Sequence, residues 1–168
     1  MNVEAIIIDG MAFALPIFIM AIGGIYSEKS GITMLALEGL QGFGAFTGAI
    51  AVLILSPVIG ENSPKLIYIA IFAAMIGGMI YSMLHAVLSI HFLANQVISG
   101  VVVNILATAL TTFLTSLLNE SLTGEASNKI QLGAAPRFTV PYLSSVPILG
   151  AFFKDVYIFV PFIAFFAL

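Results

Sequence analysis

Glu38 is the residue of this sequence whose chemistry fits its surroundings least. It lies within residues 32–55, an apolar stretch that is long enough to cross a bilayer and holds no other Asp, Glu, Lys or Arg. A carboxylate at bilayer depth costs a few kcal/mol, so such groups tend to face a protein interior or a hydrated path. Glu38, with Gln41 close by on the same stretch, therefore predicts a chain that binds or conducts a solute.

A second set of polar residues shares one face of a later apolar stretch. At 100° per residue its members fall within about 80° of arc; they are Gly100, Asn104, Thr108, Thr111 and Thr115. One interpretation is a lining that offers donors and acceptors to a hydrated solute. The alternative is that the hydroxyls bond to their own or a neighbouring helix, for about 0.6 kcal/mol each. The Asn104 carboxamide cannot be satisfied by its own backbone alone, so we interpret Asn104 and Thr108 as path candidates.

The sequence carries no pattern typical of an enzyme or a metal site. His85 and His91 are six residues apart, so they do not share a helical face as a metal pair at i and i+4 would. There is no Cys, no Ser/His/Asp arrangement, no Gly-Lys-Ser/Thr phosphate loop and no pair of carboxylates on one face. We therefore expect no catalytic residue, no metal, no cofactor and no ATP binding in this chain.

The composition defines the broad class. Of 168 residues, 61% are hydrophobic and 8% are charged, and the mean hydropathy is +1.16. Soluble domains carry roughly a quarter charged residues, so the composition excludes a water-soluble monomer and makes the lipid bilayer a partner. A net charge of −3 is too small to indicate nucleic acid as a partner.

The apolar stretches predict an all-α polytopic membrane helix bundle that forms one transmembrane domain over residues 1–168. Polar or Pro-rich segments separate the stretches, and residues 119–155 are expected to form an extramembrane loop. Acidic residues without Lys or Arg near the N-terminus argue against a cleaved signal peptide. The four complete spans and the incomplete fifth are predicted at about 5–25, 32–55, 66–90, 97–118 and 156–168.

The last apolar stretch is short for a membrane span. Residues 156–168 would reach about 20 Å as a helix, whereas the hydrocarbon core is roughly 30 Å thick. We therefore expect the polypeptide to be truncated.

The second predicted span has an irregular first half. Glu38, Gly39, Gln41, Gly42 and Gly44 follow one another closely there, which predicts a broken or re-entrant start before a more regular helix from about Phe43. We expect Gly31 and Gly39 to mark this break. Discontinuous helices are where membrane transporters place binding sites.

Small residues recur at a spacing of four on two of the predicted spans. They are Ala70, Ala74, Gly78 and Ser82 on the third span, and Gly44 and Gly48 on the second. Small residues at this spacing let membrane helices approach closely, so the pattern predicts that these helices pack together.

Two blocks of the sequence have a recognisable pattern. The first, GGIYSEKSGITMLALEGLQGFGAFTGA, covers residues 23–49, and the residues that carry the pattern are Gly23, Gly24, Ser27, Glu28, Ser30, Gly31, Leu37, Glu38 and Gly39. This block resembles the permease subunits of bacterial ABC importers, in the nucleoside (simple-sugar-like) branch that is related to the ribose and branched-chain amino acid permeases. Lys29 stands in place of the Arg of that family, and Met34 in place of its Asn.

The second block, LHAVLSIHFLANQVISGVVVNILATALTTFL, covers residues 84–114. Residues 91–96 within it are predicted to form a short polar hinge between two spans. Leu93 and Asn95 replace an Arg and an Asp of the family there, which removes the charges that an ionic role of this hinge would need. The matching residues are His85, Ala86, Phe92, Ala94, Gln96, Val97, Ile98, Ser99, Gly100 and Asn104.

The resemblance implies a subunit that forms the translocation path for nucleosides or a similar small polar solute in the bacterial plasma membrane. It implies a second permease subunit, ATPase subunits and a solute-binding lipoprotein as partners. It also implies that the loop coupling to the ATPase follows the fifth helix, outside these residues. The path residues that we predict are Glu38, Gln41, Gln96, Asn104 and Thr108.

The sequence leaves two membrane orientations and more than one class of function open. Four Lys and Arg residues lie in 56–65 and 119–155, against Lys29 alone in the other loops, so the positive-inside rule places the long loop in the cytoplasm. The resemblance places that loop and the N-terminus outside, which we adopt. A secondary transporter fragment using Glu38 for ion coupling, or a truncated partner that does not transport, are the competing function classes.

Overall fold

A computed structural model of the chain describes residues 3–60, 63, 65–124, 126–130, 137–138 and 156–157. Helices dominate this part of the chain, which confirms the predicted all-α class. They are α1 (Val3–Lys29), α2 (Leu37–Ile59), α3 (Lys65–Ala86) with a π-helical continuation (Val87–His91), and α4 (Gln96–Thr123).

Three of these helices are long and apolar enough to cross a membrane. They cover Leu37–Ile59, Lys65–His91 and Gln96–Leu122 and contain 23, 27 and 27 residues, whereas about 20 are needed. The chain is therefore a multi-pass membrane protein. The count of four complete spans and an incomplete fifth stays a prediction. The predicted loop 119–155 begins later than expected, because α4 continues to Thr123, and most of this loop lies outside the described residues.

Two short strands, β1 (Arg137–Phe138) and β2 (Val156–Tyr157), pair in an antiparallel ladder. Val156 and Tyr157 were predicted to open the fifth helix, and this is wrong for these two residues. A β-branched and an aromatic residue suit an extended strand. The remainder of that predicted helix, 158–168, is outside the described residues.

The chain divides into two compact units. One comprises Met1–Ile25 with Ala134–Leu168, and the other comprises Tyr26–Gly133. The second unit contains α2, α3 and α4 and therefore all of the predicted path residues.

The start of α2 differs from the prediction. Residues 32–36 are not helical, and α2 then runs without a break from Leu37, six residues before the predicted regular start at Phe43. Glu38 lies in the first turn, where the helix dipole favours a carboxylate, and Gly39 lies inside the helix. Gly31 has a φ of +82°, a left-handed conformation that glycine adopts without strain. The interruption, as we call residues 32–36, thus precedes Glu38 and Gly39.

The small residues of α2 and α3 meet as predicted. A Cβ atom added to Gly44 would lie 2.9 Å from the carbonyl oxygen of Ala74, and one added to Gly48 would lie 2.7 Å from that of Ala70. Thr47 Oγ1, between the two glycines, donates to the carbonyl of Gly44 at 2.8 Å. The backbones of the two helices are therefore close enough that only glycine fits at these positions of α2.

A side-chain cap begins α4 after the hinge. Asn95 Oδ1 accepts hydrogen bonds from the backbone N–H groups of Val97 at 2.9 Å and Ile98 at 3.3 Å. These two groups have no partner within the helix, because the first turn of any helix leaves its N–H groups unpaired. Asn95 therefore has a structural task that an Asp could also perform.

Replacing Asn95 with Ala should lower the free energy of unfolding by about 1 kcal/mol, since an N-cap is lost. Asn95→Asp keeps the acceptor oxygen and serves as the matched variant, with stability near that of the wild type. Thermal unfolding in mild detergent measures both. Equal losses for the two variants would contradict the capping role.

Candidate functional site

One face of α4 lies against the interruption. Gln96, Gly100 and Asn104 recur every four residues along this face, which we call the clamp face. Gln96 Oε1 accepts a hydrogen bond from the backbone N–H of Thr33 at 2.9 Å. Asn104 Nδ2 donates to the carbonyl of Leu35 at 2.7 Å, and Asn104 Oδ1 accepts from the backbone N–H of Gly39 at 2.7 Å.

The middle residue of the clamp face supplies space rather than a polar group. A Cβ atom on Gly100 would lie 3.0 Å from the Leu35 Cβ and 3.2 Å from the backbone nitrogen of Ala36. Glycine at this position lets α4 approach the backbone of the interruption. Ala36, the residue at the N-cap position of α2, provides no side-chain cap, so the cap of α2 comes from Asn104 on another helix.

A small buried core holds α4 in this position. The Tyr81 hydroxyl donates to the carbonyl of Val103 at 2.9 Å, and the Tyr81 ring stacks on Phe43 with centroids 4.4 Å apart. His85 Nδ1 and Ser99 Oγ are hydrogen-bonded at 3.0 Å, both side chains being buried. These contacts connect α3 to the same turns of α4 that carry the clamp face.

The sequence alone does not identify Tyr81, His85 and Ser99 as parts of the site. It raises His85 only as a possible metal ligand, and among the described residues no three His, Asp or Glu side chains cluster as a metal site would require. The only sequence signal for Tyr81, His85 and Ser99 is that each is a polar residue within an apolar helix, and a buried polar residue needs a hydrogen-bond partner. That signal does not identify the partner.

The predicted path residues differ in what they contact. Glu38 is exposed and Gln41 is half-buried, and neither side chain forms a hydrogen bond within the described part of the chain. Thr108 is exposed, and its Oγ1 donates to the carbonyl of Asn104 at 3.1 Å. Thr111 donates likewise to Ala107 at 2.8 Å. The alternative interpretation, in which hydroxyls bond their own helix, therefore describes both threonines.

An open groove of about 590 Å³ runs along α4 from the clamp face toward its C-terminal half. Two neighbouring ridges line it, each with a spacing of four residues. The polar ridge consists of Asn104, Thr108 and Thr112, and the apolar ridge of Ile105, Ala109 and Phe113. A surface of this kind presents hydrogen-bonding groups beside an apolar wall. Sequence reasoning missed Thr112, although it continues the spacing from Asn104 and Thr108.

Comparison with known proteins gives a family match over most of the chain and two partial relatives. The profile of the family described as branched-chain amino acid transport system, permease component, matches residues 6–168. The guanosine ABC transporter permease protein NupQ of Bacillus subtilis (strain 168) is 36% identical over 63 residues, which are 38% of this chain and 20% of that protein. The nucleoside ABC transporter permease protein NupC of Lactococcus lactis subsp. cremoris (strain MG1363) is 32% identical over 65 residues, which are 39% of this chain and 20% of that protein.

The matched segments thus span only a fifth of the length of these curated relatives. No solved structure matches the chain significantly. The family profile, in contrast, extends over nearly the whole sequence, and the relatives confirm the resemblance to the nucleoside branch of ABC importer permeases. The chain belongs to the family of permease components of branched-chain amino acid transport systems.

Proposed function

We propose that this chain forms the translocation path of an ABC importer for nucleosides or a similar small polar solute. The observation that carries the proposal is an unwound segment before a spanning helix, held by a polar face of α4 that continues into a groove. Transporters tend to bind solutes where spanning helices are interrupted, and this non-helical segment lies between α1 and the spanning helix α2. The similarity to a guanosine and a nucleoside permease supports nucleosides as the solute class.

In this proposal the chain is a transport subunit, and ATP is hydrolysed by separate ATPase subunits. A second permease subunit and a solute-binding lipoprotein complete the importer in the bacterial plasma membrane. The chain contributes four complete spans, with its N-terminus outside. Membership of the permease family supports this assembly.

The residues near the interruption divide into two roles. Glu38 and Gln41 offer groups to the solute, because neither side chain forms a hydrogen bond within the described residues. Thr108, whose hydroxyl donates to Asn104, offers only the acceptor capacity of its oxygen. Gln96 and Asn104 already bind the backbone of the interruption. Few and weak contacts suit a conduit, since a tight site would retain the solute.

Purification of the tagged full-length chain from its native membranes, followed by mass spectrometry, tests the assembly. We expect an ATPase subunit and a solute-binding lipoprotein in the eluate. A chain that elutes without either would contradict the proposal. Proton- or sodium-dependent uptake without ATPase partners would favour a secondary transporter instead, and assembly without uptake would favour a partner that does not transport.

Replacing Glu38 with Gln should reduce nucleoside uptake several-fold without affecting membrane insertion. The amide keeps the shape of the side chain and removes its charge at the positive end of α2. Uptake of radiolabelled guanosine by cells, normalised to the amount of inserted protein, measures the effect. Glu120→Gln, at an exposed position in the last turns of α4, is the matched control and should leave uptake unchanged. Wild-type uptake in the Glu38 variant would exclude the role.

A further inference from the structure

The sequence of the interruption does not explain why it is unwound. Residues 32–36 are Ile, Thr, Met, Leu and Ala, with neither Gly nor Pro among them. Met, Leu and Ala are among the better helix formers. Gly31, with its positive φ, accounts for the end of the preceding turn, but nothing local prevents α2 from starting one turn earlier. The unwinding must therefore be imposed by the rest of the fold.

Two hydrogen bonds of Asn104 explain how the rest of the fold keeps residues 32–36 unwound. In a helix that began earlier, the N–H of Gly39 would bond to the carbonyl four residues before it, which belongs to Leu35. The structure has the Asn104 carboxamide between these two groups. Its Oδ1 accepts from Gly39 at 2.7 Å, and its Nδ2 donates to Leu35 at 2.7 Å. The next helical bond, from the N–H of Leu40 to the carbonyl of Ala36, is formed at 3.0 Å.

We infer that Asn104 is a positioning residue that keeps the start of α2 unwound by inserting its carboxamide into the hydrogen-bond ladder of that helix. Side chains inserted in this way are a recognised cause of helix distortion. When α4 moves away, the Gly39–Leu35 hydrogen bond closes and α2 extends toward its N-terminus. The interruption is thus a two-state element, in which local sequence favours the helix and tertiary contacts favour the unwound form.

The placement of this element gives it a task in transport, and this part of the inference rests on the proposed function. Asn104 also lines the groove, so the residue that splits the ladder stands where the solute would pass. Glu38 adjoins the affected bond, and a change at the start of α2 would move its carboxylate. Asn104 would therefore couple a displacement of α4 to the position of Glu38.

The test is a distance measured in the assembled transporter from the interruption to the last turn of α2. The sequence has no Cys, so Thr33→Cys and Val58→Cys create a unique pair of exposed sites for spin labels. A residue rises 1.5 Å in a helix and up to about 3.3 Å when extended, so helix extension should shorten the distance by on the order of 5 Å. Pulsed electron paramagnetic resonance resolves such a change.

We expect Asn104→Leu, which keeps the size of the side chain and removes both hydrogen bonds, to shift the distance distribution to this shorter value. Asn104→Ser is the second variant, because its hydroxyl is too short to reach both groups, and it should give the same shift. Thr108→Val, one turn further along α4, removes a hydroxyl that bonds only to its own helix and should leave the distance unchanged.

A wild-type distance in the folded Asn104 variants, or a broadened distribution without the shorter component, would overturn the inference. The latter would show that Asn104 merely stabilises the packing. The measurement needs no transported solute, so it remains decisive if the transporter proves not to carry nucleosides. In that case the failure of uptake would count against the proposed function alone.

Discussion

Replacing Gly48 with Val should separate α2 from α3 and destabilise the protein more than any other single change considered. The added Cβ would lie 2.7 Å from the carbonyl oxygen of Ala70 and 3.2 Å from the Cβ of Ala74. A backbone oxygen within a helix cannot move aside without displacing the helix. Overpacking of this kind costs about 1–3 kcal/mol or more, and we expect the upper part of that range.

Thermal unfolding of the purified protein in mild detergent measures this loss, together with the yield of folded protein. Gly42→Val is the matched control, because Gly42 is on the same helix and a Cβ added there meets no atom within 4 Å. It imposes the same change of helix propensity without the clash. Similar unfolding temperatures for the two variants would show that α2 and α3 do not approach as closely as described.

Replacing Gly39 with Ala should have the second largest effect, and it should act on transport as well as on stability. The new Cβ would lie 2.7 Å from Asn104 Oδ1 and 2.9 Å from Asn104 Cα. It would force α4 away from the start of α2 and break the hydrogen bond between Gly39 and Asn104. We expect the free energy of unfolding to fall by about 1.4 kcal/mol or more. If the activation free energy of transport rises by a similar amount, uptake will slow roughly tenfold.

Guanosine uptake and thermal unfolding, measured on the same preparations, test this prediction. Gly42→Ala provides the control for the change in helix propensity, since Ala is a better helix former than Gly, and it should be neutral or slightly stabilising. Full uptake in the Gly39 variant would mean that the contact between α2 and α4 has no part in transport.

The sequence was sufficient for the features that depend on apolar length and on small side chains. Spanning helices follow from the apolar stretches alone, because a bilayer accepts few other structures. The approach of α2 to α3 follows from Gly44 and Gly48, because two glycines four residues apart on an apolar helix indicate close packing against another helix. The special status of Asn104 was also visible, because a carboxamide at that depth requires a partner beyond its own helix.

The position of the unwound segment and the contacts that hold it could not be predicted. The glycines of α2 indicated a break near Gly39, yet the structure uses Gly39 for a close approach to Asn104 and unwinds the helix before it. The unwound residues are helix formers by local propensity, so no local signal could have located them. Asn95 did carry a signal, an N-cap residue before an apolar run, which we had interpreted only as part of a polar hinge.

The most direct test of the central claim is solute uptake by the complete transporter reconstituted in proteoliposomes. The full-length chain, its partner permease and the ATPase subunits would be supplied with ATP on the cytoplasmic side and with the binding protein and radiolabelled guanosine on the other. We predict uptake that requires ATP and is reduced by unlabelled adenosine or uridine but not by leucine. Uptake that proceeds without ATP under a proton or sodium gradient, or leucine uptake in place of guanosine uptake, would contradict the assignment as a nucleoside ABC permease.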